Sequence, residues 1–84
     1  MAYYPEIVDL GRRVKRARIE QKWEPAELAR RLFISVEKLY AIERGENPEI
    51  TLREVLALCQ KLRVPIAELV SLKSSHASPY RIKG

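Results

Sequence analysis

The sequence predicts an all-α chain of five short helices, and three observations predict it. Apolar residues recur at helical spacing, with Leu10, Val14 and Ala17 the clearest set. Residues that start or stop helices punctuate the chain at short intervals: Pro25, Ser35, Gly45, Thr51 and Pro65. No run alternates apolar and polar residues as a half-buried strand would.

The first helix runs from about Glu6 to Gln21, since Ile7 extends the Leu10, Val14, Ala17 stripe one turn back. Pro25 suits the first turn of a second helix of about eight residues, with Leu28, Ala29 and Leu32 on its inner face. Phe33-Ile34 breaks that pattern. Ser35 then serves as N-cap to a third helix whose inward positions are Leu39 and Ile42 and whose C′ residue is Gly45. Glu46-Asn47-Pro48-Glu49 is a loop by its turn chemistry. Thr51 and Glu54 form a capping box for a fourth helix, for which Leu52, Val55, Leu56, Cys59 and Leu62 are the expected buried stripe. Pro65 to Val70 makes a short fifth helix with proline in its first turn. The domain expected from these elements spans residues 6–72, between an N-terminal arm (1–5) and a polar tail (73–84).

Length and composition narrow the function classes. With 84 residues, 46% hydrophobic and 32% charged, the chain fits one small globular domain and not a disordered one. A chain this short buries about 60 to 65% of its unfolded surface, so pairing with a second copy would add useful burial. No stretch approaches the ~20 apolar residues of a membrane span, and the start lacks a secretory signal's layout, so the expectation is a cytoplasmic protein. Cys59 is the single cysteine, which leaves no internal disulfide and no multi-cysteine metal site; on an apolar stripe it reads as a core residue. His76, the single histidine, lies among Ser74, Ser75 and Ser78 with nothing to position it against a base or metal. The expectation is therefore no enzyme, no catalytic residue, no metal and no cofactor. Charge is more telling: Arg12, Arg13, Lys15, Arg16, Arg18 and Lys22 against Glu20 give residues 12–22 a formal +5. Such a cluster suits a polyanion, nucleic acid first, or is a solvated helix face.

Five short segments, in this order and spacing over roughly residues 8 to 70, carry a resemblance: Leu10-Gly11-Arg12-Arg13-Val14, Ala26-Glu27-Leu28-Ala29, Ile34-Ser35, Ile42-Glu43-Arg44-Gly45, and Val64-Pro65-Ile66-Ala67-Glu68-Leu69. The sequence resembles the phage-repressor and Cro type of helix-turn-helix domain, the lambda-repressor-like or XRE-like family. Ala29 also has a physical reason to be small, because two helices of such a unit must approach closely.

The resemblance implies a salt bridge from Arg18 to Glu43, tying the first helix to the end of the third. It implies that the third helix enters the major groove, with Val36, Glu37 and Ala41 against base edges and Lys38 and Tyr40 nearby. Val36 and Ala41 suit thymine methyls and Glu37 a cytosine amino group. Arg12, Arg13, Lys15 and Arg44 are the expected phosphate contacts. Two features depart from the family. Pro25 stands where a phosphate-binding Gln is frequent and offers no donor, and Glu24, Glu46 and Glu49 put carboxylates near the expected DNA face.

Two functional readings follow. In the first, the chain is a transcriptional regulator bound to double-stranded DNA as a homodimer on a pseudo-palindrome with half-sites ~34 Å apart. Ile66, Leu69, Val70 and Leu72 are the expected dimer contacts, although for Ile66 and Leu69 closing the chain's own core is an equal expectation. Size and layout are similar to the small controller proteins of restriction-modification systems and to compact regulators on mobile elements. Such a dimer acts by occupancy, excluding RNA polymerase or recruiting it through an acidic patch that includes Glu46 and Glu49. In the second reading the helix-turn-helix scaffold binds another regulatory protein, for which Glu37 and Tyr40 are equally well suited.

Overall fold

The computed structural model describes residues 4–70. Within them the chain forms α1 (Pro5–Glu20), α2 (Pro25–Leu32), α3 (Val36–Glu43), α4 (Leu52–Leu62) and α5 (Ile66–Leu69). Leu72, the segment 73–84 with His76, and most of the N-terminal arm lie outside the described residues.

Helix α1 starts on Pro5, where a missing N–H costs nothing, and buries Leu10, Val14 and Ala17 along one face. Gly11 lies on the same side. A Cβ there would sit 2.2 Å from the Ile42 carbonyl oxygen and 2.7 Å from that of Glu43, so its absence lets α1 rest directly on the backbone at the end of α3. Helix α2 also opens on proline, and its C-cap is Phe33, held left-handed at φ 60°. In that conformation the Phe33 and Ile34 amides donate to the Arg30 and Ala29 carbonyls, closing the helix and redirecting the chain into α3. Ser35 Oγ accepts from the Lys38 amide at 3.0 Å and caps α3, which ends before Gly45 at φ 74°.

The capping box between Thr51 and Glu54 opens α4. The phase of that helix differs from expectation: Leu58 is buried at 1% exposure, whereas Leu52 and Leu56 are 66% and 49% exposed. Leu58, one turn beyond Val55 and Glu54, lines a small cavity with Leu32, Ile34 and Ile42, while Leu52 and Leu56 face away from the core. Helix α5 is four residues long, with Pro65 as its N-cap and not within its first turn. Leu69 closes the core at 2% exposure, joining Val14, Leu28, Leu39, Leu58 and Leu62. This side chain is committed to its own chain, which corrects its expected place in a dimer contact; Ile66 is exposed and Val70 half-buried against the core.

Candidate nucleic-acid interface

The α2–turn–α3 unit presents a solvent-facing row on α3. Leu39, Ile42 and Glu43 turn inward, leaving Glu37, Tyr40 and Arg44 exposed at helical spacing. Val36 and Ala41 are half-buried, and Val36 packs against the core. Lys38 Nζ donates to Glu54 Oε2 at 2.5 Å, which bridges α3 to α4. That ammonium, helped by the Thr51 amide, holds the Glu54 carboxyl below its ordinary range. The Lys38 charge on this face is therefore shared with an acid that spacing alone does not reveal.

What fixes the tilt of α3 is a buried fork. Arg18 Nε donates to Glu43 Oε2 at 2.6 Å and its Nη2 to Oε1 at 3.2 Å, while Nη1 donates to the Trp23 carbonyl at 3.2 Å. The guanidinium is thereby tied to the far end of α3 and to the α1–α2 joint together. Hydrogen bonding to Glu43 raises the Arg18 pKa above its already high ordinary value, so the pair stays ionised wherever the carboxylate does.

The remaining sequence-predicted cations do not gather beside α3. Arg44 donates to Glu46 at 2.9 Å, which sets a carboxylate beside the charge it brings to the α3 end. Arg13 donates to Asp9 at 2.9 Å and to the Glu68 carbonyl at 3.1 Å, stitching α1 to α5. Arg12 lies 3.8 Å from the same Asp9, and Lys15 is exposed. The acids Glu24, Glu37, Glu46 and Glu49 are all exposed around α3 and the start of α2. Exposed cations thus predominate on the outer face of α1, whereas around α3 the carboxylates stand beside Lys38 and Arg44. The i, i+4 pair Asp9–Arg13 and the Glu27–Arg30–Arg31 cluster were visible as spacings. The α1–α5 stitch and the Lys38–Glu54 bridge had no local signal.

Cys59 is a free thiol in the core, and burial pushes its pKa up, away from a reactive thiolate. Among the described residues no three His, Cys, Asp or Glu side chains cluster as metal ligands, and no helix is long and apolar enough to cross a membrane.

Two α-helices joined by a tight left-handed turn, the second with its outer row free, define a helix-turn-helix unit. The family model described as a helix-turn-helix domain matches residues 9–72, and the chain belongs to that family. No curated protein sequence matches it. Among solved structures it is similar to the restriction-modification controller protein C.AhdI from Aeromonas hydrophila. That match has a TM-score of 0.72 and 24% identity, over 79% of this chain and 98% of the controller, and it shows a shared fold. It is also similar to hydroxypropylphosphonic acid epoxidase from S. wedmorenis, with a TM-score of 0.73 and 28% identity over 77% of this chain and 34% of that one. The cobalt(II) form of HppE with Tris buffer gives 0.75 and 27%, over 80% of this chain and 37% of that one. This chain therefore spans about a third of those longer chains.

Proposed function

We propose that this chain is a sequence-specific DNA-binding regulator that acts as a homodimer, with α3 in the major groove and no catalytic step of its own. The observation that carries the reading is the exposed row on α3, held rigidly by the Arg18–Glu43 fork at one end and the Ser35 cap at the other. A recognition helix needs a fixed tilt and a free outer face. Membership of the helix-turn-helix family supports the reading, as does the fold shared with a controller protein that nearly its whole length matches. In this arrangement Glu37, Tyr40 and Ala41 face base edges, with Val36 and Lys38 at the groove wall. Arg44 and Lys15 reach phosphates. The self-contact uses Leu52, Leu56 and Ile66, the exposed apolar side chains of α4 and α5, together with the half-buried Val70 that follows α5.

Salt-dependent anisotropy on labelled duplex DNA tests this, with Lys38→Glu and Arg44→Glu beside the unaltered chain. Affinity should fall steeply with salt and further in both variants. Absence of binding at ~50 mM salt, where non-specific contacts register, would overturn it.

One observation favours a second reading. The four exposed carboxylates around α3 and the start of α2 repel a duplex but fit a basic surface on a protein. Under this reading the helix-turn-helix face docks a regulatory protein, and the DNA titration above returns no binding while charge reversal at Glu37 and Glu46 abolishes capture of that partner.

A further inference from the structure

The cations of α1 border a concavity that the readings above leave unused. Arg12, Arg13 and Arg16, flanked by Asp9 and Glu20, line one wall of a groove of about 600 Å³, and Val64, Ala67 and Glu68, leading into and along α5, line the other. Arg13 is engaged structurally, through Asp9 and the Glu68 carbonyl. Arg12 is different, since its side chain is 70% exposed and only loosely offset by Asp9 at 3.8 Å. Arg16 is exposed and makes no ion pair among the described residues.

We propose that this groove docks an extended peptide segment of a partner protein carrying carboxylates at alternate positions. Arg12 and Arg16 are one helical turn apart, ~6 Å along the axis. Alternate side chains on one face of an extended strand repeat at ~6.6 Å, so two carboxylates separated by one residue meet the two guanidinium forks in register. Val64 and Ala67 on the opposite wall supply apolar surface for a side chain between them. Glu20, one turn beyond Arg16, and Glu68 on the facing wall repel further acids, which limits the motif to about two carboxylates.

The groove's shape and place select the occupant. A cleft between two helices admits an extended chain, whereas a duplex is convex and rides on an outer face. The chain's own segment 71–84 carries Lys73, Arg81 and Lys83 and no acidic side chain, so it has no pair of carboxylates to offer Arg12 and Arg16. Helix α3 meets α1 on the Gly11 and Arg18 side, and at 3.6 residues per turn Arg12 and Arg16 lie more than a quarter of a turn around from it. A ligand on α3 leaves the groove open, and the inference stands whichever partner α3 takes.

The test is fluorescence anisotropy with a labelled peptide of about eight residues bearing two glutamates around one leucine. The proteins are the unaltered chain, Arg12→Gln/Arg16→Gln, and Arg53→Gln/Lys61→Gln as a charge-matched control on α4. Loss of both forks should weaken binding at least ~10-fold, and the control less than ~2-fold. Amide shifts in the unaltered chain should concentrate at residues 64–69 and on α1, which locates the peptide without any variant. Equal weakening in both variants would reduce the effect to net charge and overturn the proposal. So would unsaturable binding at ~1 mM peptide. Displacement of the peptide by short duplex DNA whose affinity falls equally in the Arg12/Arg16 variant would assign the groove to nucleic acid instead.

Discussion

At the scale of single residues, Arg18 and Glu43 carry more of the architecture than any other polar pair. Their side chains are 10% and 3% exposed, and both oxygens of the carboxylate are taken. Removing one partner strands the other, so Arg18→Met or Glu43→Leu alone should lower unfolding free energy by about 3 kcal/mol in urea denaturation. The double variant should recover most of that loss, because neither charge is then left unpaired. Phe33 is the opposite case. It is 93% exposed and held at φ 60°, a conformation that costs an L-residue about 1 kcal/mol or more. Phe33→Gly should raise the thermal midpoint, by about 0.5 to 1 kcal/mol in stability once glycine's greater unfolded-state entropy is deducted. The sequence marked Phe33-Ile34 as a break but not as a left-handed cap, since a Phe carries no conformational signature of the kind Gly45 does.

At the scale of elements, helix ends were legible and helix phase was less so. Pro25, Ser35, Gly45 and the Thr51–Glu54 box each act locally, through backbone conformation or bonds to their own neighbours, and each stands where local chemistry placed it. Helix α4 shows the limit. Leucines at 52, 56, 58 and 62 with Val55 and Cys59 allow two overlapping stripes, and only packing against α1, α2 and α5 selects the one containing Leu58. The Arg18–Glu43 pairing came from a family likeness, while the Lys38–Glu54 bridge joins residues of two helices that only the tertiary fold brings together. That bridge has a pH signature. The folded-state pKa of Glu54 is depressed, so its contribution to stability is full above the ordinary carboxylate value and is lost as pH falls through the folded value. Glu54→Gln should therefore flatten the acid limb of a stability profile measured below about pH 4.3, with little effect at neutral pH on its slope.

At the scale of the whole molecule, the distribution of charge and the exposed leucines of α4 set what the domain meets. A charge total of +5 and a basic α1 were plain in the sequence. That Arg12, Arg13 and Arg16 border α5 while Arg18 turns to Glu43 of α3 depended on how the helices are turned. Leu56→Glu should leave the fold intact, because that side chain is 49% exposed, and, on the proposed homodimer, should shift sedimentation toward the monomer. A variant that sediments as the unaltered chain does would remove α4 from the self-contact. One further consequence lies in the α1–α2 corner. Trp23, the single tryptophan, has its carbonyl bound by Arg18, its indole N–H directed to Gln21 at 3.3 Å and the Arg31 guanidinium 5.9 Å from its ring centre. Its emission is thus a built-in optical gauge of the corner that aims α3. If that gauge and the far-ultraviolet helical signal move together on heating, corner and bundle melt as one unit; if the emission shifts first, the domain can release its third helix while the rest of the core stays folded.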